Sequence, residues 1–429
     1  MAFWMRLSRY GRLLHGRISD TRRWIDAEAL GAPYQGDSNY GCLAHASDGA
    51  IYYTLGSREA EGEARLLRFD PGTRLTTLVA HLSSAVGEAP PATIPQGKTH
   101  VGLFEHSGRL YTATHIGYYK RRLGRELPAA PPGRRRYPGG HLVAYDLTSG
   151  RIDDLARAPA EEGIIAMTLD RRRGQISALT WPGGLLLTYQ LESGQLRDHG
   201  PVFGAGEWGR HLGLRWRRIC RTIVHDPDSG DVYWSDDDGC LFALRHGSQT
   251  IELVRHRLAE NSGATGWRAL VWRESERAFY GILSGSCWLF RFEPAARKVE
   301  LLDQLRPRSV RRRLRLNQSP TLALRLAEDG ETLLYLATGP GLLTATGRMN
   351  STVHLLTYHL PSRTTREHGI LRLPDGRYPV LAESIEQVGD RIYSVPWLAV
   401  PTRAFRRLLS APSDVERVQL ISFPLPPRN

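Results

Sequence analysis

The strongest constraint on this chain is a phrase that recurs seven times along it. Each copy holds a turn with Gly or charged residues, a strand of the form x-x-Tyr, a variable loop, and a further strand ending in or near an aromatic. The first of these strands reads GAIYYTLG (49–56), GRLYTATH (108–115), GQISALTW (174–181), GDVYWSDD (230–237), RAFYGILS (277–284), ETLLYLATG (331–339) and DRIYSVPW (390–397). The next reads ARLLRFDP, GGHLVAYDL, GLLLTYQL, GCLFALRH, CWLFRFEP, TVHLLTYHL and RVQLISFPL. An apolar run precedes each turn and a short strand-like tail usually follows, which makes four strands per unit at the length of a propeller blade. Period-two alternation and β-branched and aromatic content agree. Two packed sandwich domains, the rival architecture, would not need one phrase throughout.

The expectation is a single all-β domain over 1–429, a seven-bladed β-propeller with four-stranded antiparallel blades and little helix. Its approximate blades are 36–85, 97–160, 161–203, 218–260, 265–304, 319–373 and 378–426. The last unit stops one strand short, and an open sheet edge invites association. GRISD at 16–20 echoes GRIDD at 150–154, so residues near 13–24 are expected to add the outer strand of the last blade and close the ring.

Link lengths orient the molecule. The links after the first strands (HSGR, DRRRG, DPDSGD, EDGE) and after the third strands (TSG, ESG, GSQ) are short. Insertions fall at 116–138, 340–351 and 398–416 within units, and at 80–97, 197–217 and 302–318 between them. In a meandering four-strand blade both long classes open on one face, and loops above a rigid scaffold are where function concentrates.

Residues ending the second strands at that face are Gly56, His115, Trp181, Asp237, Ser284, Gly339 and Trp397, a polar and aromatic set. The inner strands start with His100, Arg221 and Arg268, with Glu383 near the equivalent place in the last unit. Channel-lining arginines need paired acids or an anionic ligand, and both readings stay open. His100 and His115 should meet at one end of blade two, where neutral imidazole serves as acid, base or metal ligand. The alternative is that they are satisfied structural residues, with Trp181 and Trp397 packing between blades.

The chain carries 57 Lys plus Arg against 44 acids, a net charge of +13, and its only lysines are Lys98, Lys120 and Lys298. Guanidinium pairs bidentately with carboxylate, sulfate or phosphate, so an anionic partner is expected, unless codon bias set the balance. The runs RRR (134–136), RWRRICR (215–221) and RPRSVRRRLRL (306–316) lack an aromatic-interleaved RNA signature, which disfavours nucleic acid. Cys42, Cys220, Cys240 and Cys287 stand far apart and read as buried free thiols. DPDSGDVY (226–233) fits a hairpin turn better than a calcium loop. No motif asks for a metal or cofactor, and no apolar run reaches signal-peptide or membrane-span length, so a soluble cytoplasmic protein is the default.

GKTHVGLFEHSGRLYTATH (97–115), followed by YPGGHLVAYDLTSG (137–150), resembles the histidine-bearing blade of the seven-bladed propeller polysaccharide lyases of the ulvan lyase group. The architecture would cover nearly the whole chain, the motif only blade two. The resemblance implies β-elimination on an acidic, uronate-containing glycan that can be sulfated, with His100 and His115 as the histidines and Arg221 as the arginine. Arg268, Trp181, Trp397 and Asp237 would bind substrate. The chain departs from the family in having no tyrosine between Tyr189 and Arg221. Tyr40, Tyr118 and Tyr119 are the substitutes by location. The alternative function is a noncatalytic propeller that binds a protein or anionic ligand through the same face.

Overall fold

Seven meandering sheets succeed one another along the chain, and the repeat is the reason. The structure is a computed structural model, described for residues 23–88, 92–118, 120–122, 125–127, 130, 133–209, 212–259, 266–307, 320–339, 351–399 and 417–427. The first sheet joins Leu43–His45, Ile51–Leu55, Arg65–Asp70 and Leu75–His81. The second joins Phe104–His106, Arg109–Ala113, His141–Asp146 and Ile152–Arg157. The third runs from Gly163–Asp170 through Gln175–Trp181 and Leu185–Gln190 to Gln195–Pro201, and the fourth and fifth repeat this order up to Lys298–Gln304; the sixth is built on Leu324–Leu326, Thr332–Gly339, Thr352–His359 and Thr364–Arg372, the seventh on Glu386–Val388, Arg391–Ser394 and Ile421–Pro424. This is a β-propeller. Among the described residues, helix is limited to Leu82–Ala85 and two single 3-10 turns.

Burial follows position within the sheet. The strand Ile51–Leu55 is buried throughout, as is Ala278–Leu283, because each is covered on both faces by neighbouring sheets. The outer strands Leu75–His81 and Gln195–Pro201 are mostly exposed or half-exposed. The short turns clasp adjacent sheets: Arg171 donates to Glu105 O, Arg172 to Pro227 O and Asp228, Arg273 to Gly330 O, and the Glu328 N–H to Gln387. One end of the propeller is therefore stapled by hydrogen bonds between neighbouring turns.

The N-terminal segment does reach the last blade, but not where expected. Glu28–Ala29 pairs antiparallel with Ile421–Ser422 as outer strand of the seventh sheet. Trp24–Asp26, of which only Trp24 falls in the expected 13–24, instead pairs parallel with Ile370–Arg372 as a fifth strand on the sixth sheet. Residues 13–22 lie outside the described residues. An echo in sequence does not choose an edge; open carbonyls do, and the chain steps from Arg372 O, which accepts the Ala27 N–H, to Leu420 O, which accepts that of Leu30.

The seventh unit also splits. Arg391–Ser394 and Ile421–Pro424 belong to the blade, whereas Trp397–Ala399 and Arg417–Val418 pair with Tyr378–Leu381 in a separate three-stranded sheet. Pro396, lacking an N–H for the ladder, stands at the break. First and last blades share one core, in which Leu43, Ile51 and Tyr53 pack with Tyr378, Tyr393, Trp397 and Val418.

Candidate functional site

Blade two builds the centre of the site. Its first two strands extend toward the loop-rich end through a reciprocal pair, the Lys98 N–H donating to His115 O (2.9 Å) and the His115 N–H to Lys98 O (2.7 Å). His100 follows two residues on, so the two imidazoles meet with ring centroids 4.8 Å apart at 76°. Tyr40, from the segment before blade one, stacks on His100 at 3.9 Å and 10°. Trp397 tilts against Tyr40 at 5.1 Å, and Trp181 stands edge-on to His115 at 5.6 Å. A Cβ at Gly163 would collide with His115 Nδ1, so only glycine lets the third blade approach this ring.

Both arginines carry acids. Arg221 donates to Ile219 O (2.7 Å) and pairs with Glu207 Oε1 (2.8 Å). Arg268 pairs with Glu383 Oε1 (2.7 Å), whose other oxygen accepts the Leu322 N–H (2.6 Å). Glu383 thereby ties the fifth, sixth and seventh units together, and the salt-bridge alternative for these arginines is realised. The Arg268 Nε is buried and makes no hydrogen bond among the described residues.

The electrostatics follow from this company. Burial pushes His100 well below the ordinary histidine range, and the charges of Lys98, Arg221 and Arg268 together with neighbouring His115 add to it. His115 is lowered in the same way by burial, Lys98 and Arg221, against a small opposing contribution from the Gly163 backbone. Both rings are neutral at pH 7, so each offers a basic nitrogen in a setting that attracts anions.

The other expected residues are distributed as follows. Trp181 and Trp397 are buried in core clusters, as the packing alternative held; Trp181 also borders His115 and Trp397 borders Tyr40. The Trp181 indole donates to Glu207 Oε2 (2.9 Å) and that of Trp397 to Asp37 O (3.0 Å). Asp237 pairs with Arg217 (3.2 Å) beside Asp236 and Asp238. Tyr118 is half-buried against a core cluster, and Tyr119 lies outside the described residues.

The remaining sequence features resolve locally. The Asp226 carboxylate caps its own turn by accepting the Asp228 and Ser229 N–H groups, which is the hairpin reading of DPDSGDVY. Arg134 pairs with Glu61, Arg136 with Glu161 and Arg215 with Asp238, so these arginines of the first two basic runs are locally paired, while 308–316 of the third run lie outside the described residues. All four cysteines are free; Cys240 is only half-buried. Among the described residues no helix is long and apolar enough to cross a membrane.

Lys98, Glu207 and Gly163 belong to the site and were not picked out by pattern. Lys98 carried a signal: it is one of three lysines in a chain that otherwise uses arginine, and it is buried at 3% exposure. Glu207 sits in an interblade insertion and gave none.

The sequence matches no protein-family profile and no curated protein. Solved structures are similar in fold. One is the extracellular domain assigned to a one-component system of B. thetaiotaomicron, with TM-score 0.50 and 15% identity over 93% of this chain and 40% of that one. Another is a β-propeller domain from Myceliophteria thermophila, with TM-score 0.52 and 11% identity over 90% of this chain and 98% of that one. A chain of a mitotic checkpoint complex gives 0.52 and 9% identity over 94% and 93%. The chain spans about two fifths of the B. thetaiotaomicron domains, at 40% and 38% of their length. At these identities the likeness concerns the propeller alone.

Proposed function

We propose that this propeller binds an acidic, uronate-containing glycan at the mouth formed by Tyr40, His100 and His115 and cleaves it by β-elimination. The observation that carries the reading is the stack of Tyr40 on His100, edge-on to His115, amid the charges of Lys98, Arg221 and Arg268. Tyr40 fills the place left by the missing tyrosine. In such a reaction a base removes the C5 proton, its electron pair forms the C4–C5 double bond, the C4–O4 bond breaks, and an acid protonates the leaving O4. Neutral His100 is suited to the first role and Tyr40 to the last, while Arg221 and Arg268 offset the substrate carboxylate as enolate-like charge develops. His115, buried behind His100, positions it.

The test is to incubate the protein with a panel of uronate polymers and follow the ultraviolet absorbance of unsaturated ends. Appearance of that absorbance with one polymer, and its loss in Tyr40→Phe, is expected. A second reading, a noncatalytic propeller binding an anionic ligand or protein through this face, is favoured by the ion pairs that already engage both arginines. Binding of a polymer without unsaturated product, unaltered by His100→Ala, would select it.

A further inference from the structure

We infer that Glu207 is the positioning residue of this site, setting where the Arg221 guanidinium and the Trp181 indole stand relative to the two imidazoles. The inference rests on the placement of the site proposed above and adds a residue that no motif marks.

Glu207 accepts from three directions. Its Oε2 takes the Trp181 indole N–H (2.9 Å), and its Oε1 takes Arg221 Nη2 (2.8 Å) and the Ile219 N–H (3.3 Å). Arg221 in turn donates Nη1 to Ile219 O (2.7 Å), so carboxylate, guanidinium and the Ile219 peptide close a ring of contacts. Trp181 ends a strand of the third sheet and Arg221 precedes the first strand of the fourth, so one side chain joins two blades just behind His115.

The segment bearing Glu207 is built to hold it. Glu207 lies in the 3-10 turn Gly206–Trp208, and its own N–H donates to Pro182 O (2.9 Å), next to Trp181. Gly206 has φ +55°, and a Cβ there would strike Pro182 O, so the turn presses against the end of the Trp181 strand as only glycine permits. The Arg217 N–H donates to Gly206 O (2.9 Å), tying the return of the insertion to the same point. An acid serving only as counter-ion to Arg221 would not need the indole or this turn.

Arg221 is one of the charges that both imidazoles feel; His100 also faces His115, Lys98 and Arg268, and His115 also faces Lys98. This gives a readout whose sign separates positioning from simple charge. Removing a nearby anion while Arg221 stays in place would depress both histidines further. Releasing Arg221 takes a cation away from them and lets both rise.

The experiment compares wild type, Glu207→Gln and Arg221→Met in the full chain with 13C-labelled histidine. His100 and His115 signals are assigned by substitution, folding is checked by thermal melting, and the pH titration is followed by NMR without any glycan. Glu207→Gln is expected to move both titrations upward, in the direction of Arg221→Met, and Glu207→Asp to restore part of the shift. Unchanged or lowered titrations in a folded Glu207→Gln protein would overturn the assignment. Titrating the uronate polymer that the wild type binds best should then show affinity about tenfold weaker in Glu207→Gln, as expected for one lost charge-assisted contact. If the titrations shift but no uronate polymer binds the wild type, the positioning role stands and the glycan reading falls.

Discussion

Blade two holds two histidine environments that answer opposite questions. His100 and His115 lie among cations and aromatic rings, and burial with those charges keeps them neutral. His141, on a strand of the same sheet, lies between acids: Nδ1 meets Asp154 Oδ1 at 2.9 Å and Nε2 meets Glu88 Oε1 at 2.9 Å. Burial alone would lower His141, but the bonds to Asp154 and Glu88 outweigh it and raise it to about 9. Glu88 also accepts from Gln96, whose carbonyl oxygen takes Thr114 and Tyr137 hydroxyl protons, so His141 anchors a polar network beneath the interblade insertion. The lesson is that a satisfied, charged histidine is a structural bolt. A neutral one, kept so by burial and by nearby cations, is available for chemistry.

The largest effect that can break this contrast is catalytic. On a polymer that the wild type cleaves, His100→Ala and Arg221→Ala should each lower the rate on the order of a hundredfold or more. His141→Gln should leave the rate per folded molecule within a few-fold. Equal losses in initial-rate assays would erase the distinction between the two environments.

Stability should show the reverse. His141→Gln strands two carboxylates, one of them largely buried, and should cost about 2 kcal/mol in chemical denaturation. His100→Gln should be near neutral by the same measurement, since among the described residues no ion pair holds that ring.

Gly163→Ala sharpens the picture from the packing side. The added methyl meets His115 and must displace it, costing about 1–3 kcal/mol and disturbing the site, whereas Gly49→Ala meets only open space and suffers from its φ of +79° alone. Paired melting curves and rates on both variants check this.

The smallest effect is the pH profile of stability. For His100 and His115 the unfolded chain binds protons more readily below about 6.5, so their contribution is full above that pH and falls on acidification. For His141 the folded pKa is the higher one, so its contribution is full below about 6.5 and declines as pH rises through about 9. His141→Gln should therefore flatten the alkaline limb by about 1 kcal/mol, discounted because Asp154 is partly exposed, and leave the acid limb unchanged. Denaturation midpoints measured across the range decide it.

The repeat made the blades legible because a strand is written in local terms: alternation, a turn residue, an aromatic at a fixed offset. Every one of the seven quoted strand pairs falls on observed strands, although Pro396 divides the last pair between two sheets. The meeting of His100 and His115 was legible for the same reason, since hairpin register ties positions close in sequence.

Three features had no local signature. Tyr40 reaches His100 from the segment before blade one, Glu383 meets Arg268 across 115 residues, and Glu207 joins Trp181 to Arg221 from within an insertion. The choice of Glu28–Ala29 over residues 13–24 as the added strand belongs with them. What the sequence alone determined is the blade, because backbone hydrogen bonding and side-chain alternation are settled within some tens of residues. What only the tertiary structure decided is the environment of each ionisable group, because charge, burial and ring stacking depend on which distant segments the packing of neighbouring blades brings within a few ångströms.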